Sequence, residues 1–290
     1  MADATLRAES PEKPDVVILA GGINRIAMFP GNRPGRKALL PMRGRPLISY
    51  VLDALKHSET VGRILVVAHP EVLEYVCRWQ GVEGIREGYS LIRNARRGLL
   101  HATSERVLFC NPDQPLLTPA MIDDFVRQGL AKDADIVSSW VEWSDIGPYE
   151  EEGEHKFERF GDGRFAHGNL FLVRRDIPEA PQVRKRLEGM YAGRKHPVKF
   201  AWAMGPGLFA RFLWARMRKQ LPSLQETLNI AGRHFGVRIV PVVCACPEIA
   251  LDVDEPEDYA AAVRHLEERE ARLREARPLE TSPAAAVSAA

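Results

Sequence analysis

The sequence predicts an α/β fold: a mostly parallel central sheet with helices on both faces, carrying an inserted lobe. Two observations predict it. Apolar runs of strand length recur at Val16–Ala20, Ile64–Ala68, Val107–Cys110, Ile136–Trp140, Leu170–Val173 and Ile239–Cys244. Between the first several lie segments with the apolar spacing of helices, Pro46–Lys56, Glu71–Trp79, Ser90–Leu100 and Pro119–Ala131. Strand and helix alternating in this way imply parallel strands joined by crossover helices. Ligands of such sheets gather at the carboxyl ends of the strands, so functional residues are expected just after Ala20, Ala68 and Cys110.

The pattern changes after Trp140. Glu142–Gly168 is acidic and contains glycine, and reads as a long excursion or hairpin before Asn169–Arg174 returns as a strand. Gln182–Lys219 is basic and partly helical, broken by Gly193, Pro197 and Gly205-Pro206-Gly207. Residues 142–220 are therefore expected to form a lobe inserted on the sheet. A final helix is expected over Pro256–Ala276, giving one domain over 14–276, with a disordered N-terminus over 1–13 and a disordered Pro/Ala/Ser tail over 277–290.

With 40 Lys+Arg against 39 Asp+Glu and 45% hydrophobic residues, the 290-residue chain can bury a core and is not a disordered polyelectrolyte. A net charge of +1 argues against a nucleic-acid partner. The near-neutral total is built from separated blocks. Val16–Leu52 has no acid and six cations, Glu142–Asp162 sums to −6, and Arg184–Lys219 sums to +9. Blocks of this kind suit a site for a small anion. The polar start, with Glu9 and Glu12, lacks the features of a signal peptide, and no apolar run approaches the length of a membrane span; a cytoplasmic protein without membrane insertion is expected. Cys77, Cys110, Cys244 and Cys246 sit in apolar runs and are expected as buried, reduced thiols.

Asp15-Val-Val-Ile-Leu-Ala20 leads directly into Gly21-Gly22. Glycines there permit positive φ and let backbone N–H groups approach phosphate oxygens. An acid-free basic loop follows, then Lys37. Leu19-Ala-Gly-Gly22, Lys37-Ala-Leu-Leu-Pro-Met-Arg-Gly-Arg-Pro-Leu-Ile48 and Tyr50-Val-Leu-Asp-Ala-Leu55 together resemble the MobA-like NTP transferases. These belong to the nucleotidyltransferase superfamily, with the molybdenum cofactor guanylyltransferases and sugar-phosphate nucleotidyltransferases. The resemblance implies a glycosyltransferase-A-like fold and an enzyme that joins the NMP of an NTP to a second substrate, releasing pyrophosphate. It also implies that the backbone of Ala20, Gly21 and Gly22 holds the nucleotide, while Arg25 and Lys37 bind its phosphates. The sequence departs from the family at Ile23-Asn24-Arg25-Ile26, where small residues and an Arg-Met pair are usual, and in the longer stretch before Lys37.

An Asp just past a buried strand, as in Cys110-Asn111-Pro112-Asp113-Gln114-Pro115, is placed to hold a hard cation against a triphosphate. It matches the family's Asp-x-Pro-Leu-Leu metal motif. In Ala250-Leu-Asp252-Val-Asp254-Glu-Pro-Glu257, Asp254 reads most simply as the cap of the last helix, leaving Asp252 as the second ligand implied by the resemblance. The cofactor expected is Mg²⁺ or Mn²⁺. Ser90 is a predicted N-cap, and Asn94 on the helix after it could bond a base edge. The inserted lobe is left for the acceptor, with Asn169, Lys195, Arg194 and His167 as its candidates and a phosphorylated small molecule suiting the basic block. The partners expected are thus an NTP and a small-molecule acceptor. Two other functions fit parts of the pattern: a glycosyltransferase of the same fold using a sugar nucleotide, and a catalytically silent nucleotide-binding regulator.

Overall fold

The computed structural model describes residues 12–150, 156–177 and 221–276. The ends, 1–11 and 277–290, and most of the expected lobe, including Arg194 and Lys195, lie outside the described residues.

Among the described residues, strand β1 (Asp15–Leu19) lies inside an eight-stranded sheet. The other strands are β6 (Ile64–Ala68), β7 (Val82–Arg86), β8 (Arg106–Cys110), β9 (Ile136–Glu142), β10 (Phe157–Phe160), β11 (Gly163–Arg174) and β12 (Ile239–Val243). Their order is β12-β9-β11-β8-β1-β6-β7, with β10 paired to β11. β1 is parallel to β6 and β8, β6 to β7, and β9 to β12. β11 is antiparallel to β8, β9 and β10. The sheet is therefore mixed but mostly parallel.

Strands β1, β6 and β8 are apolar at nearly every position because both faces are covered. Val16 and Ile18 of β1 and Ala20 just after it enter a core with α1 (Ile48–Lys56) and α4 (Pro119–Leu130), joined by α2 (Pro70–Val76). The alternate residues Val17 and Leu19 face α3 (Leu91–His101) through Leu99. This alternation is the period-two geometry of a strand. α5 (Leu224–Phe235) packs beside β12, and α6 (Pro256–Ala276) contributes Ala262 and Leu266 to a second core with Met28, Leu40, Met42, Leu47 and Val253. Two buried aspartates tie loops to this frame. Asp15 accepts from the Thr103 and Arg63 amides (2.7 and 3.2 Å), and Asp123 from Ser58 Oγ, Thr60 Oγ1 and the Glu59 and Thr60 amides.

Between β1 and α1 the chain forms two small ribbons, β2 (Ile23–Asn24) with β3 (Gly35–Arg36), and β4 (Pro41–Met42) with β5 (Arg45–Pro46). Arg43 and Gly44 turn the second at φ 48° and 81°, a two-residue reversal in which both positions are left-handed and glycine relieves the second. This accounts for the glycine in the Leu-Pro-x-x-Gly-x-Pro pattern.

Several expectations are corrected. β11 begins at Gly163, not Asn169, and lies between β8 and β9; the described part of the expected lobe thus includes a central strand. Gly168 lies against the interior: a Cβ there would lie 2.9 Å from Ser139 Cβ and 2.7 Å from Ile249 Cγ2, so its missing side chain serves packing. Cys77 is exposed at the end of α2, whereas Cys110 and Cys244 are buried.

Candidate active site

The strand order reverses between β1 and β8, which places the crevice at their carboxyl ends. Gly21 and Gly22 follow β1 and Asp113 follows β8. Ala20 is buried and donates its amide to Val67 O at 2.9 Å, so the chain leaves the sheet only after it. Neither glycine has positive φ. Gly21 is crowded instead by the Glu87 carboxylate, which occupies the space of a Cβ and puts Glu87 Cδ 3.3 Å from it. Gly22 O accepts from the Lys37 amide at 3.0 Å, which anchors Lys37, at the start of a 3-10 turn (Lys37–Leu39), against the glycine loop.

Three bonds carry Asp252 and Asp254 to Asp113, although about 140 residues separate them. Gln114, fully buried, donates to Ile249 O at 2.9 Å. The Val253 amide donates to Asp113 O at 3.0 Å. Arg269 of α6 donates to Leu116 O at 3.0 Å. With Val253 buried in the second core, Asp252 and Asp254, one residue to either side of it, turn together towards Asp113. Carboxylate oxygens of Asp113, Asp252 and Asp254 lie within 4.8 Å of one another.

Lys37 Nζ bonds both Asp113 Oδ2 and Asp254 Oδ1. Burial works against the Lys37 charge, but the Asp113 and Asp254 carboxylates outweigh it and raise its pKa. Burial also raises the Asp113 pKa, and Asp252 and Asp254 add to that against the opposing pull of Lys37. For Asp254 burial is outweighed by the Lys37 bond, and its pKa falls. Asp113 is therefore drawn towards its neutral form and Asp254 towards its charged one, in a site whose lysine is firmly charged.

Asp254 is not the helix cap the sequence suggested. α6 begins at Pro256, and the Asp258 carboxylate reaches back to the Asp254 and Glu255 amides, at 3.0 Å each. The Asp254 side chain is thereby left to the acid cluster.

The residue types and their state suit a hard divalent cation. All three side chains offer carboxylate oxygens, and among the described residues no donor reaches the buried Asp113 Oδ1. A buried carboxylate oxygen without a partner is costly unless something fills the site.

Other candidates are placed unequally. Asn94 is buried on α3; its Oδ1 accepts from the Gly88 amide at 2.6 Å, and Nδ2 is 3.7 Å from the space beside Gly21. Ser90 caps α3 through the Arg93 amide, as its sequence predicts. Arg25 is exposed after β2. Arg36 is the arginine turned inward, 3.6 Å from Glu87 and 3.8 Å from Glu71. Asn169 Oδ1 accepts from Asn111 Nδ2 at 2.9 Å, which brings it to the loop that carries Asp113. His167 packs against Trp140 and Phe171, with ring centroids 4.7 and 4.9 Å apart. Burial against those rings lowers its pKa to about 4.

Sequence reasoning missed three residues that line this region. Glu87 lies beside Gly21, and its signal was its place before Gly88-Tyr-Ser90. Lys156 bonds Asp252 Oδ1 at 2.7 Å; it is one of two cations in the acidic block. Asp258 sits 3.7 Å from Lys156.

Comparison with known proteins agrees with this fold. The model of the family described as MobA-like NTP transferase domain matches residues 16–229. The chain belongs to that family. A curated relative, 2-C-methyl-D-erythritol 4-phosphate cytidylyltransferase of Cereibacter sphaeroides, is 30% identical over 118 residues, 37% of this chain and 49% of that protein. The chain thus matches about half the length of its curated relatives. Among solved structures, a hypothetical transferase from Thermus thermophilus has a TM-score of 0.67 at 28% identity, covering 86% of this chain and 100% of that one. A nucleotidyl transferase from Methanothermobacter, TM-score 0.54 at 18% identity over 89% of this chain and 99% of that one, shares the fold. The fold of the MobA-like NTP transferase domain family is therefore the one seen here. Among the described residues no helix is long and apolar enough to cross a membrane.

Proposed function

We propose that the protein is a metal-dependent nucleotidyltransferase that moves an NMP from an NTP to a small, phosphorylated acceptor and releases pyrophosphate. The observation that carries this reading is the unpartnered, buried Asp113 Oδ1, set among Asp252, Asp254 and Lys37 at the crevice end of β1 and β8. In this reading the backbone of Ala20, Gly21 and Gly22 holds the nucleotide, and Asn94 on α3 meets its base. Lys37 exchanges its carboxylate partners for the phosphates, and Arg25 supports the departing pyrophosphate. Asp113 and Asp252, with Asp254 beside them, would hold Mg²⁺ or Mn²⁺, which supplies neutralising charge to the phosphates. An acceptor phosphate is already ionised near pH 7, so its oxygen needs no general base to attack the α-phosphorus, and positioning with charge stabilisation suffices. Asn169, His167, Arg194 and Lys195 are assigned to the acceptor. An NTP substrate makes the cytoplasm the setting.

A thermal-shift screen of the four NTPs with Mg²⁺ tests this. A nucleotide at 100 times its Kd stabilises the native state by about 2.7 kcal/mol. One NTP is expected to raise the Tm with Mg²⁺ and to lose that effect in EDTA and in Asp113→Asn. No response to any NTP, or a response indifferent to both metal and Asp113, would sink the reading.

A further inference from the structure

We propose that Lys156 is a positioning residue for Asp252, holding that carboxylate in the orientation in which it meets a divalent cation. The inference rests on the metal-dependent reading above. Lys156 precedes β10, and its Nζ bonds Asp252 twice, at Oδ1 (2.7 Å) and at the main-chain carbonyl (3.0 Å). The remaining ammonium direction faces Asp258 Oδ1 at 3.7 Å. The three side chains are 14%, 21% and 10% exposed, so this is an interior arrangement and not a surface ion pair.

An ammonium has three donors and no acceptor. With two on Asp252 and the third side turned to Asp258, Lys156 has little left to offer a substrate, unlike a phosphate-binding lysine. What it does is geometric. The Val253 amide fixes the backbone of the Asp252–Asp254 strand to Asp113, and Asp258 fixes the Asp254 and Glu255 amides. Neither restrains the Asp252 side chain. Lys156 does, by bonding both its Oδ1 and its own main-chain carbonyl. Four carboxylates (Asp113, Asp252, Asp254, Asp258) then face two lysines, a shortfall of two charges that a single divalent cation makes good.

Charge and positioning predict opposite signs. Removing a cation beside three carboxylates should, by Coulomb attraction alone, tighten binding of a divalent metal. Losing the support of a ligating carboxylate weakens it, typically 10- to 100-fold (about one to two orders of magnitude). The test is Mn²⁺ titration of the full chain without nucleotide, followed by the EPR signal of free Mn²⁺. Native folding of each variant is checked by circular dichroism. Lys156→Met is expected to raise the Mn²⁺ Kd by roughly 10-fold or more, and to have little further effect in an Asp252→Asn background, since it acts through that residue. If Lys156→Met does not fold, Lys156→Gln, which keeps a polar group on a shorter stem, carries the same comparison. Unchanged or tighter Mn²⁺ binding overturns the proposal, as does a full additional loss in the Asp252→Asn background. A wild-type chain that binds no Mn²⁺, with or without NTP, overturns the metal-dependent reading as well, so the two failures are distinct.

Discussion

Replacing Lys37 by methionine removes the cation that Asp113 and Asp254 share and leaves the three carboxylates facing one another. Their oxygens lie within 4.8 Å, so each ionised pair repels by about 3.5 kcal/mol at an effective dielectric constant near 20. All three cannot stay ionised at that level, and the smaller penalty is to protonate one. For an ordinary carboxyl at pH 7.5 that costs about 5 kcal/mol, and it falls on Asp113, whose pKa burial already raises. The destabilisation of Lys37→Met in EDTA is expected at about 3 to 5 kcal/mol, the range for removing one member of a buried ion pair. A divalent cation can stand in for the lost ammonium, so Mg²⁺ without nucleotide should restore more stability to the variant than it adds to the wild type. Urea unfolding of both proteins, in EDTA and in millimolar Mg²⁺, reads this directly. A variant as stable as wild type in EDTA, or an equal effect of Mg²⁺ on the two, would refute the electrostatic account of the site.

Three further outcomes follow from the same structure. Burial would raise the Asp123 pKa, but the Ser58 and Thr60 hydroxyls and the Glu59 and Thr60 amides outweigh it and hold it below the ordinary value. A depressed carboxyl stabilises the fold above its unfolded pKa and loses that contribution as pH falls through its folded pKa. Asp123→Asn should thus cost about 2 kcal/mol at pH 7, with the difference from wild type shrinking below about pH 4, measured by urea unfolding at several pH values. Gly98→Ala puts a methyl 2.9 Å from Val17 Cγ2, and closer still to Cγ1, where about 3.5 to 4.0 Å is comfortable. Overpacking of about 2 to 3 kcal/mol exceeds the gain of about 1 kcal/mol in helix propensity. The variant should lose stability and, because α3 carries Asn94, nucleotide response in the thermal-shift screen. Asp254→Asn should weaken Mn²⁺ binding if Asp254 completes the cluster, whereas a residue serving only the helix start would leave Mn²⁺ affinity unchanged in the EPR titration.

The parts of this fold legible in the sequence are those where burial is complete. β1, β6 and β8 are apolar at nearly every position because helices cover both faces, and their carboxyl ends point to Gly21 and Asp113. β7 was invisible for the opposite reason: it is an edge strand whose sole buried residue is Ile85. α5 went unread although Ser223 and Glu226 form a capping box at its start. The acid cluster was only half legible. Asp254-Glu-Pro satisfies the local rules for a helix start, and only tertiary bonds, from the Val253 amide to Asp113 and from Lys37 to Asp254, show its carboxylate turned elsewhere. Lys156 and Arg36 were hidden in charge blocks, where sequence cannot say which member turns inward. Gly168 is flanked by polar residues in the sequence, yet the space of its side chain is filled by Ser139 and Ile249, which no local pattern announces.

The central claim is that the α-phosphorus of an NTP is transferred to an acceptor at the Lys37–Asp113 crevice. It is tested most directly by following that atom. With an NTP labelled in the α-phosphate, Mg²⁺ and a panel of phosphorylated small acceptors, the label should appear in an acceptor-linked nucleoside diphosphate. Equimolar pyrophosphate should accompany it, and both should be lost in Asp113→Asn. Release of free nucleoside diphosphate or inorganic phosphate, with the label never joined to the acceptor, would contradict the account.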